Sequence, residues 1–383
     1  DPPSSPDSEE GWSKANPYPA RLKTNRRLSG PGSAKDVRHF EIALGDSGLA
    51  YEVGDALGVW PANCPELVAA VLGAGGWDGE EAVPDRGGAE TSLRMALLRD
   101  YELGRIPIPL LAHFAKASGE ATLQHLVELS ANGALQKFLH GRDVLDLLQG
   151  HSAVRLKPAE FVALLRKSQP RLDSISSSPK AHPGEVHLTV SALRYEAGGR
   201  GRKGVASCFL ADRCMADTPV PVFVHVNAAF RPPAGDVPLI MIGPGTGIAP
   251  FRAFLVDRAA AGAAGRNWLL FGDQTAAQDY LYRDEIEGFV RDGRLARLDL
   301  AWSRDQAEKV YVQHRMLAAA DELWRWLEEG AAVYVCGDAG RMAKDVDAAL
   351  HQVIERAGGR SSDAAREYVK AMQAARRYQR DVY

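Results

Sequence analysis

Apolar and polar residues alternate in short stretches between Tyr18 and Trp60, as in VRHFEIAL, and each stretch ends at a glycine or proline. That is the pattern of antiparallel barrel strands. Between Pro61 and Lys167 the period lengthens to about 3.6 residues. PELVAAVLGAG, SLRMALLRDYEL, PIPLLAHFAKAS, ATLQHLVELS and PAEFVALLRKS there predict short helices. Alternation returns at Arg171 in RLDSISSS, GEVHLTVSAL and VPVFVHVNA, so a helical insertion interrupts the barrel. From Asp236 strands and helices take turns: VPLIMIG before APFRAFLVDRAAAG, RNWLLFGD before YLYRDEIEGFVRDG, LARLDLAWS before VQHRMLAAADELWRWLEEG, and AAVYVCGD before RMAKDVDAALHQVIERAG. This predicts a parallel sheet covered by helices. The expected order is a flexible leader or linker over 1–17, barrel segments over 18–60 and 168–235, the helical insertion over 61–167, and a nucleotide-binding domain over 236–383.

Composition narrows the classes. A chain of 383 residues with 45% hydrophobic content can fill at least two cores. Its 46 basic and 49 acidic residues leave a net charge of -3, which gives no global attraction to nucleic acid. Cys64, Cys208, Cys214 and Cys336 form no CxxC pair and no zinc-ligand spacing, which suits a reducing, cytoplasmic compartment. No apolar run approaches the roughly 20 residues of a membrane helix, and no signal segment opens the chain. The 10 histidines are scattered without HExxH, so no metal is expected; His187 and His225, on alternating strands, could share one barrel side. Trp324 and Trp326 face different sides of one helix and read as packing residues. AREYVKAMQAARRYQRDVY reads as a helix leading into Tyr383, with basic residues suiting its carboxyl-end dipole.

The candidate chemistry begins at GPGTG, residues 243–247, between an apolar strand and a helix. Backbone amides converge at such a turn and a helix dipole receives phosphate. Gly243, Gly245 and Gly247 would let the backbone approach, and Thr246 can donate through its hydroxyl. The turn departs from GxGxxG spacing and lacks the P-loop lysine, so a plain tight strand-to-helix connection stays open. Ser303 and Arg304 follow the third strand of this lobe, at the edge where open sheets bind ligands, and Lys309, Tyr311 and Gln313 lie just beyond. Together they suit a phosphate ester, with the extra phosphate of NADPH the natural candidate and a solvated loop the alternative. Cys336 closes the fourth strand, where it can face a nicotinamide or simply be a small buried hydrophobe.

RLDSISSS, KGVASCFL, GPGTGIAPFRAF, FGDQ, YLYRDEI, WSRD, KVYVQ, YVCGD and YQRDVY, nine motifs in order, resemble the reductase half of the diflavin reductases. The likeness is nearest to the flavoprotein subunits of NADPH-sulfite reductases, with cytochrome P450 reductase, nitric oxide synthase reductase and methionine synthase reductase as relatives. It covers residues 16–383 and implies an antiparallel FAD-binding barrel with a helical connecting insertion, followed by a parallel-sheet NADP-binding domain of the ferredoxin-NADP reductase type. By this resemblance Arg171 pairs with the FAD pyrophosphate and Ser174 contacts flavin N5. Lys203, Gly204, Val205, Ala206 and Ser207 wrap the FAD phosphates through backbone and hydroxyl. Gly245 and Thr246 hold the NADPH pyrophosphate, and Ser303, Arg304, Lys309 and Tyr311 clamp the 2'-phosphate with Gln313 nearby. Cys336 and Asp381 flank the nicotinamide, and Tyr383 covers the flavin ring until NADPH displaces it.

The resemblance also implies hydride transfer from NADPH to FAD, then electron transfer to FMN on a separate domain or a flavodoxin-like carrier, serving sulfite reduction with a haem subunit as possible partner. The expectation is that residues 1–17 mark a linker to such an FMN domain. A free-standing ferredoxin or flavodoxin reductase is the alternative enzyme. One departure stands out: where the family has tyrosine in RxYS, this chain has Asp173. An aspartate lacks the aromatic contact, worth roughly 0.5–1.5 kcal/mol beyond area burial, and brings negative charge to a cofactor that becomes electron-rich. Weakened FAD binding, a lowered flavin potential or both are expected, and loss of FAD would leave a redox-silent nucleotide-binding or assembly module.

Overall fold

The computed structural model describes residues 11–128, 133–215 and 217–383. The chain divides into two compact units, one holding the described residues of 1–58, 172–191 and 215–383, the other those of 59–171 and 192–214.

Strands β1 (Tyr18–Arg27), β2 (Val37–Ala43), β3 (Ala56–Val59), β4 (Arg171–Ser174), β5 (Glu185–Ser191) and β6 (Pro219–His225) form one sheet in the order β4-β3-β6-β1-β2-β5. β1 runs antiparallel to β6 and β2, and β2 antiparallel to β5. An antiparallel bridge from Ile175 to Leu188 joins the two ends and closes the barrel. The alternation that announces these strands is the period-two burial of a sheet with one face on the core: Phe40 and Ile42 are fully buried while Glu41 between them is not.

The second sheet contains β7 (Leu239–Ile242), β8 (Asn267–Asp273), β9 (Arg297–Trp302), β10 (Ala332–Gly337) and β11 (Tyr378–Val382), in the order β9-β8-β7-β10-β11. Every pairing is parallel. β7 is buried at all four positions because helices cover both faces, so it reads as an unbroken apolar run. Ile240, Trp268, Val333 and Trp326 build the core on one face, and Met241, Phe251, Phe254 and Tyr334 the core on the other. The strand order reverses at β7, which opens a crevice at the carboxyl ends of β7 and β10. An antiparallel barrel followed by a parallel, helix-covered sheet is the expected architecture.

Within the first unit a buried polar network joins barrel to parallel sheet. Arg252 donates to Glu285 at 2.7 Å, to the Ser176 carbonyl at 2.9 Å and to His187 Nδ1 at 3.1 Å. His39 Nδ1 lies 2.8 Å from the Tyr282 hydroxyl, which also bonds Thr189 at 2.7 Å. The ligand-capable atoms of His39, Glu41 and His187 lie within 4.8 Å of one another. Each already has a hydrogen-bond partner, and Arg252 adds a positive charge, so the cluster works as a clamp between lobes. His187 therefore pairs with His39, at 4.9 Å between ring centroids, and not with His225, which is exposed at the end of β6. Both lie on sheet strands as expected, but the barrel's pleat turns His225 to solvent.

In the second unit, seven helices among the described residues pack around Leu97, Phe114, Leu145 and Phe161. Five coincide with the apolar periods read above, although the last two residues of ATLQHLVELS lie outside the described residues. Gly133–Leu139 and Val144–Gly150 are not expected from the apolar periods; the second is fixed by the Asp143 side chain, which accepts from the Asp146 amide at 3.1 Å. Two other helices differ from expectation. The long helix after β9 breaks at Ala319 into Val312–Ala318 and Ala320–Glu328, a break that periodicity misses because Met316, Leu323 and Trp326 keep to one core face. The last helix ends at Ala374, since Arg376 takes a left-handed φ of 56° and Arg377 donates to the Leu327 and Ala331 carbonyls, steering the chain into β11. Trp326 packs 5.3 Å from Trp268, and Trp324 packs 5.3 Å from Tyr368.

The leader expected over 1–17 lies outside the described residues up to 10; beyond it, the Trp12 indole donates to the Ser47 carbonyl at 2.9 Å. Among the described residues no helix is long and apolar enough to cross a membrane.

Candidate nucleotide and flavin site

A cavity of about 480 Å³ occupies the crevice at the carboxyl ends of the parallel strands. Its walls hold Gly245 and Thr246 after β7, Ser303 and Arg304 after β9, then Lys309, Tyr311 and Gln313, and Tyr383 beyond β11. The loops are tied together from below: the Ser303 amide donates to the Asp273 carbonyl at 2.9 Å, and the Arg304 amide to the Gln274 carbonyl at 2.8 Å. The Arg304 and Lys309 side chains are exposed and carry no hydrogen bond or ion pair among the described residues. Gln313 makes one long contact, to Asp345 at 3.4 Å.

The three glycines of the turn divide their work. Gly245, at φ 57°, faces the cavity. A Cβ on Gly243 would come within 2.5 Å of the Gly247 carbonyl, and one on Gly247 within 2.2 Å of the Cys336 carbonyl. Those two serve close packing inside the lobe, so of the expected approach of three glycines to phosphate only Gly245 is placed for it. A left-handed glycine open to the cavity and a rim of uncommitted cationic and hydroxyl donors fit a nucleotide phosphate.

Ser174, Cys336, Asp381, Tyr383 and Thr246 converge beside this cavity. Ser174 Oγ donates to Asp381 Oδ2 at 2.7 Å, and Asp381 stands opposite Cys336 in the β10–β11 register. Cys336 has no exposed surface; burial, then the Asp381 charge, holds its thiol well above the ordinary range despite the nearby Ser174 hydroxyl, so it stays a neutral thiol. The Tyr383 hydroxyl lies 2.9 Å from Thr246 Oγ1. Burial of its phenolic end and the Asp173 and Asp381 carboxylates push that hydroxyl up to about 12, against the Thr246 contact, which lowers it. The residue as a whole remains 65% exposed. An uncovered aromatic ring above a held hydroxyl is what a flat cofactor would rest on. Asp173 sits close enough to act on Tyr383 and supplies charge where the resembled family has an aromatic face.

The other FAD candidates belong to the second unit. Gly204, Val205 and Lys203 line a cavity of about 300 Å³ there, together with Tyr195, a residue 47% exposed. Lys203 is exposed, whereas Arg200 and Arg202 are committed to Asp143 and Asp146. A cationic turn beside an exposed ring fits the phosphate and base of a dinucleotide. The Ser207 hydroxyl is buried and accepts from the Leu193 amide at 3.1 Å, and Ala206 is likewise buried. Arg171 opens β4, half-buried.

Lys35, Asp273, Asp338 and Arg341 also line the nucleotide cavity and were not singled out in the sequence. Asp273 closes a strand of the parallel sheet in FGD, a position where ligands are expected. Lys35 comes from the barrel, 238 residues away, and carries no local signal.

A barrel that sets Ser174 against Asp381, beside the exposed Tyr383 ring and the phosphate cleft of the parallel sheet, is the arrangement of a flavin- and nicotinamide-dinucleotide oxidoreductase. Sequence comparison agrees: residues 11–85 and 88–209 match the FAD binding domain model, and residues 241–348 match the oxidoreductase NAD-binding domain. The chain belongs to the FAD binding domain family. It is 45% identical over 377 residues to the sulfite reductase (NADPH) flavoprotein alpha-component of Bacillus subtilis, a match covering 98% of this chain and 62% of that protein. The proteins of the same name from Vibrio cholerae (48% identity, 98% of this chain, 61% of theirs) and Photorhabdus laumondii (46%, 97% and 62%) are similar. The chain thus spans about three fifths of the length of these relatives.

Proposed function

We propose that this chain takes a hydride from NADPH onto FAD and passes electrons to FMN on a further domain or a flavodoxin-like carrier, for sulfite reduction at a haem-bearing partner. The observation that carries the reading is the convergence of Ser174, Cys336, Asp381 and Tyr383 beside the nucleotide cavity. The names of the relatives support NADPH as donor and sulfite reduction as the purpose. FAD, when bound, supplies the hydride acceptor and the one-electron chemistry, and the chain supplies placement.

In this reading Arg304, Lys309, Ser303 and Tyr311 clamp the 2'-phosphate with Gln313 beside them, and Gly245 and Thr246 meet the pyrophosphate. Arg171, Lys203, Gly204 and the backbone of Val205, Ala206 and Ser207 hold the FAD phosphates. Thr246 is shared: its hydroxyl bonds Tyr383 before nucleotide arrives, so nucleotide and Tyr383 compete for one atom. Asp381 holds the Ser174 hydroxyl in one orientation and places negative charge beside the ring that turns positive on oxidation. Cys336, uncharged and buried, packs the floor and excludes water. Four free thiols among the described residues support a reducing cytoplasmic setting. We place the FAD barrel at 18–60 and 168–235, the connecting insertion at 61–167 and the NADPH domain at 236–383.

Anaerobic stopped-flow mixing of the FAD-loaded protein with NADPH or NADH, followed at the flavin bands, tests this. Faster and tighter reduction by NADPH is expected; equal behaviour with both would remove the phosphate clamp. The Asp173 charge supports a second reading, in which FAD is not retained. A colourless protein that stays colourless after added FAD and desalting would favour it.

A further inference from the structure

We propose that Asp273 is a proton-binding positioning residue of the nucleotide cleft: it holds Lys35 in the open cleft and takes up a proton when a nucleotide phosphate draws Lys35 away. The inference rests on the nucleotide-site reading above.

Asp273 ends β8 with its side chain 1% exposed. Its Oδ1 accepts from Lys35 Nζ at 2.6 Å and from the Gln274 amide at 2.8 Å. Its Oδ2 is buried and has no hydrogen-bond partner among the described residues; a Cβ built on Gly245 would lie 3.7 Å away, so this oxygen points at the phosphate turn. Lys35 arrives on the β1–β2 connection, which is itself anchored: the Gly30 amide donates to the Gln278 carbonyl at 2.6 Å, the Gly32 amide to Gln278 Oε1 at 3.0 Å, and Ser33 to Asp279. The loop is fixed while the lysine's ammonium end, on a long and partly exposed side chain, is free to change partner.

A phosphate entering the cleft competes with Asp273 for that ammonium. If Lys35 turns to the phosphate, the carboxylate is left buried, unpaired at one oxygen and facing an anion, a state far costlier than the neutral acid. A solvent proton then adds to Oδ2, the carboxylate becomes a carboxyl group, and Lys35 keeps its own charge throughout. The surrounding charges favour this outcome. Burial already pushes Asp273 up, Lys35 and the Gln274 amide hold it back, and Asp279 pushes it further up. Arg304 from β9 and Arg341 after β10 also line the cavity, but phosphate would occupy them; Asp338 adds negative charge, and Thr246 and Tyr383 on the remaining wall are neutral. Nucleotide binding is thereby linked to proton uptake.

Calorimetric titration of the FAD-loaded full chain with NADP+, in two buffers of different ionisation enthalpy, counts the protons directly. At pH 8 the phosphate monoester, whose second pKa is about 6, is already a dianion and adds little of its own. The parent should take up as much as one proton, and its affinity for NADP+ should weaken by up to about tenfold per pH unit above neutrality. Asp273→Asn should lose this uptake and the pH slope. Lys35→Met should lose the uptake although it keeps the carboxyl group, because Asp273 then acquires its proton before nucleotide arrives; this variant, at a partly exposed side chain, also serves if Asp273→Asn fails to fold. An equal proton count in all three proteins overturns the proposal while leaving the nucleotide site standing. Absence of any NADP+ binding by the folded, FAD-loaded parent removes both.

Discussion

Ser174 and Asp381 are joined by a 2.7 Å hydrogen bond across 207 positions of sequence, and that bond fixes where the serine hydroxyl points. Replacing Ser174 with alanine should slow flavin reduction by NADPH by about 10²-fold, the effect of removing one positioned donor. FAD content and the dissociation constant of NADP+ should stay near parental values. Single-turnover rates beside equilibrium titrations separate these; a variant that reduces at the parental rate would take Ser174 out of the chemistry.

In the proposed function the Thr246–Tyr383 bond must open for nucleotide to reach Thr246, which makes it a brake on entry. Tyr383→Phe keeps the ring and removes the bond, so NADP+ should bind more tightly by the worth of one neutral hydrogen bond, about 0.5–1.5 kcal/mol or roughly two- to tenfold. Fluorescence or calorimetric titration reads this, and weaker binding would mean that the phenol holds nucleotide rather than excluding it.

Arg304 and Lys309 extend into solvent with their charges uncommitted. Alanine at either position should weaken NADPH by roughly tenfold or more and leave NADH nearly unchanged, because a charge-assisted contact to phosphate is lost and nothing else. Comparing kcat/KM for the two nucleotides is the check; equal losses for both would point to general disruption.

Acid should loosen the clamp between barrel and parallel sheet. Burial, Arg252 and His187 lower His39 from 6.5 to about 4, and burial also lowers His187. A base with a depressed folded-state value is neutral when folded and takes a proton more readily when unfolded. Its contribution is therefore complete above pH 6.5 and is lost as pH falls toward 4, by roughly 3 kcal/mol for His39. Urea midpoints between pH 7.5 and 4.5 should fall accordingly, and less steeply in His39→Gln; identical slopes would place the acid sensitivity elsewhere.

Asp173→Tyr restores an aromatic face. FAD should bind about two- to tenfold tighter and the flavin midpoint potential should rise, as a stacking contact replaces a negative charge. Flavin content after desalting and a spectroelectrochemical titration measure the two effects; if neither changes, Asp173 does not govern the flavin.

The architecture was open to reading because barrel alternation, helical period and strand–helix succession are local patterns, and the glycine turn and basic rim lie beside strands that such patterns locate. Two classes of feature were not. Breaks such as Ala319 and the left-handed Arg376 leave the apolar period intact, so neither the split helix nor β11 is visible in it. Pairings such as Lys35 with Asp273 and His39 with His187 exist only once distant strands are brought together. Within the glycine turn, residue type alone could not separate Gly245, which faces the cavity, from Gly243 and Gly247, which fill space behind it.

The backbone of Gly247 lies so near the end of β10 that no side chain can be added between the two loops flooring the cleft. In the proposed function, selection among nucleotides then falls to side chains at the mouth, where the exposed Arg304 and Lys309 can be exchanged singly without disturbing the fold. In such a cleft preference is an interchangeable fitting and the seat beneath it is permanent.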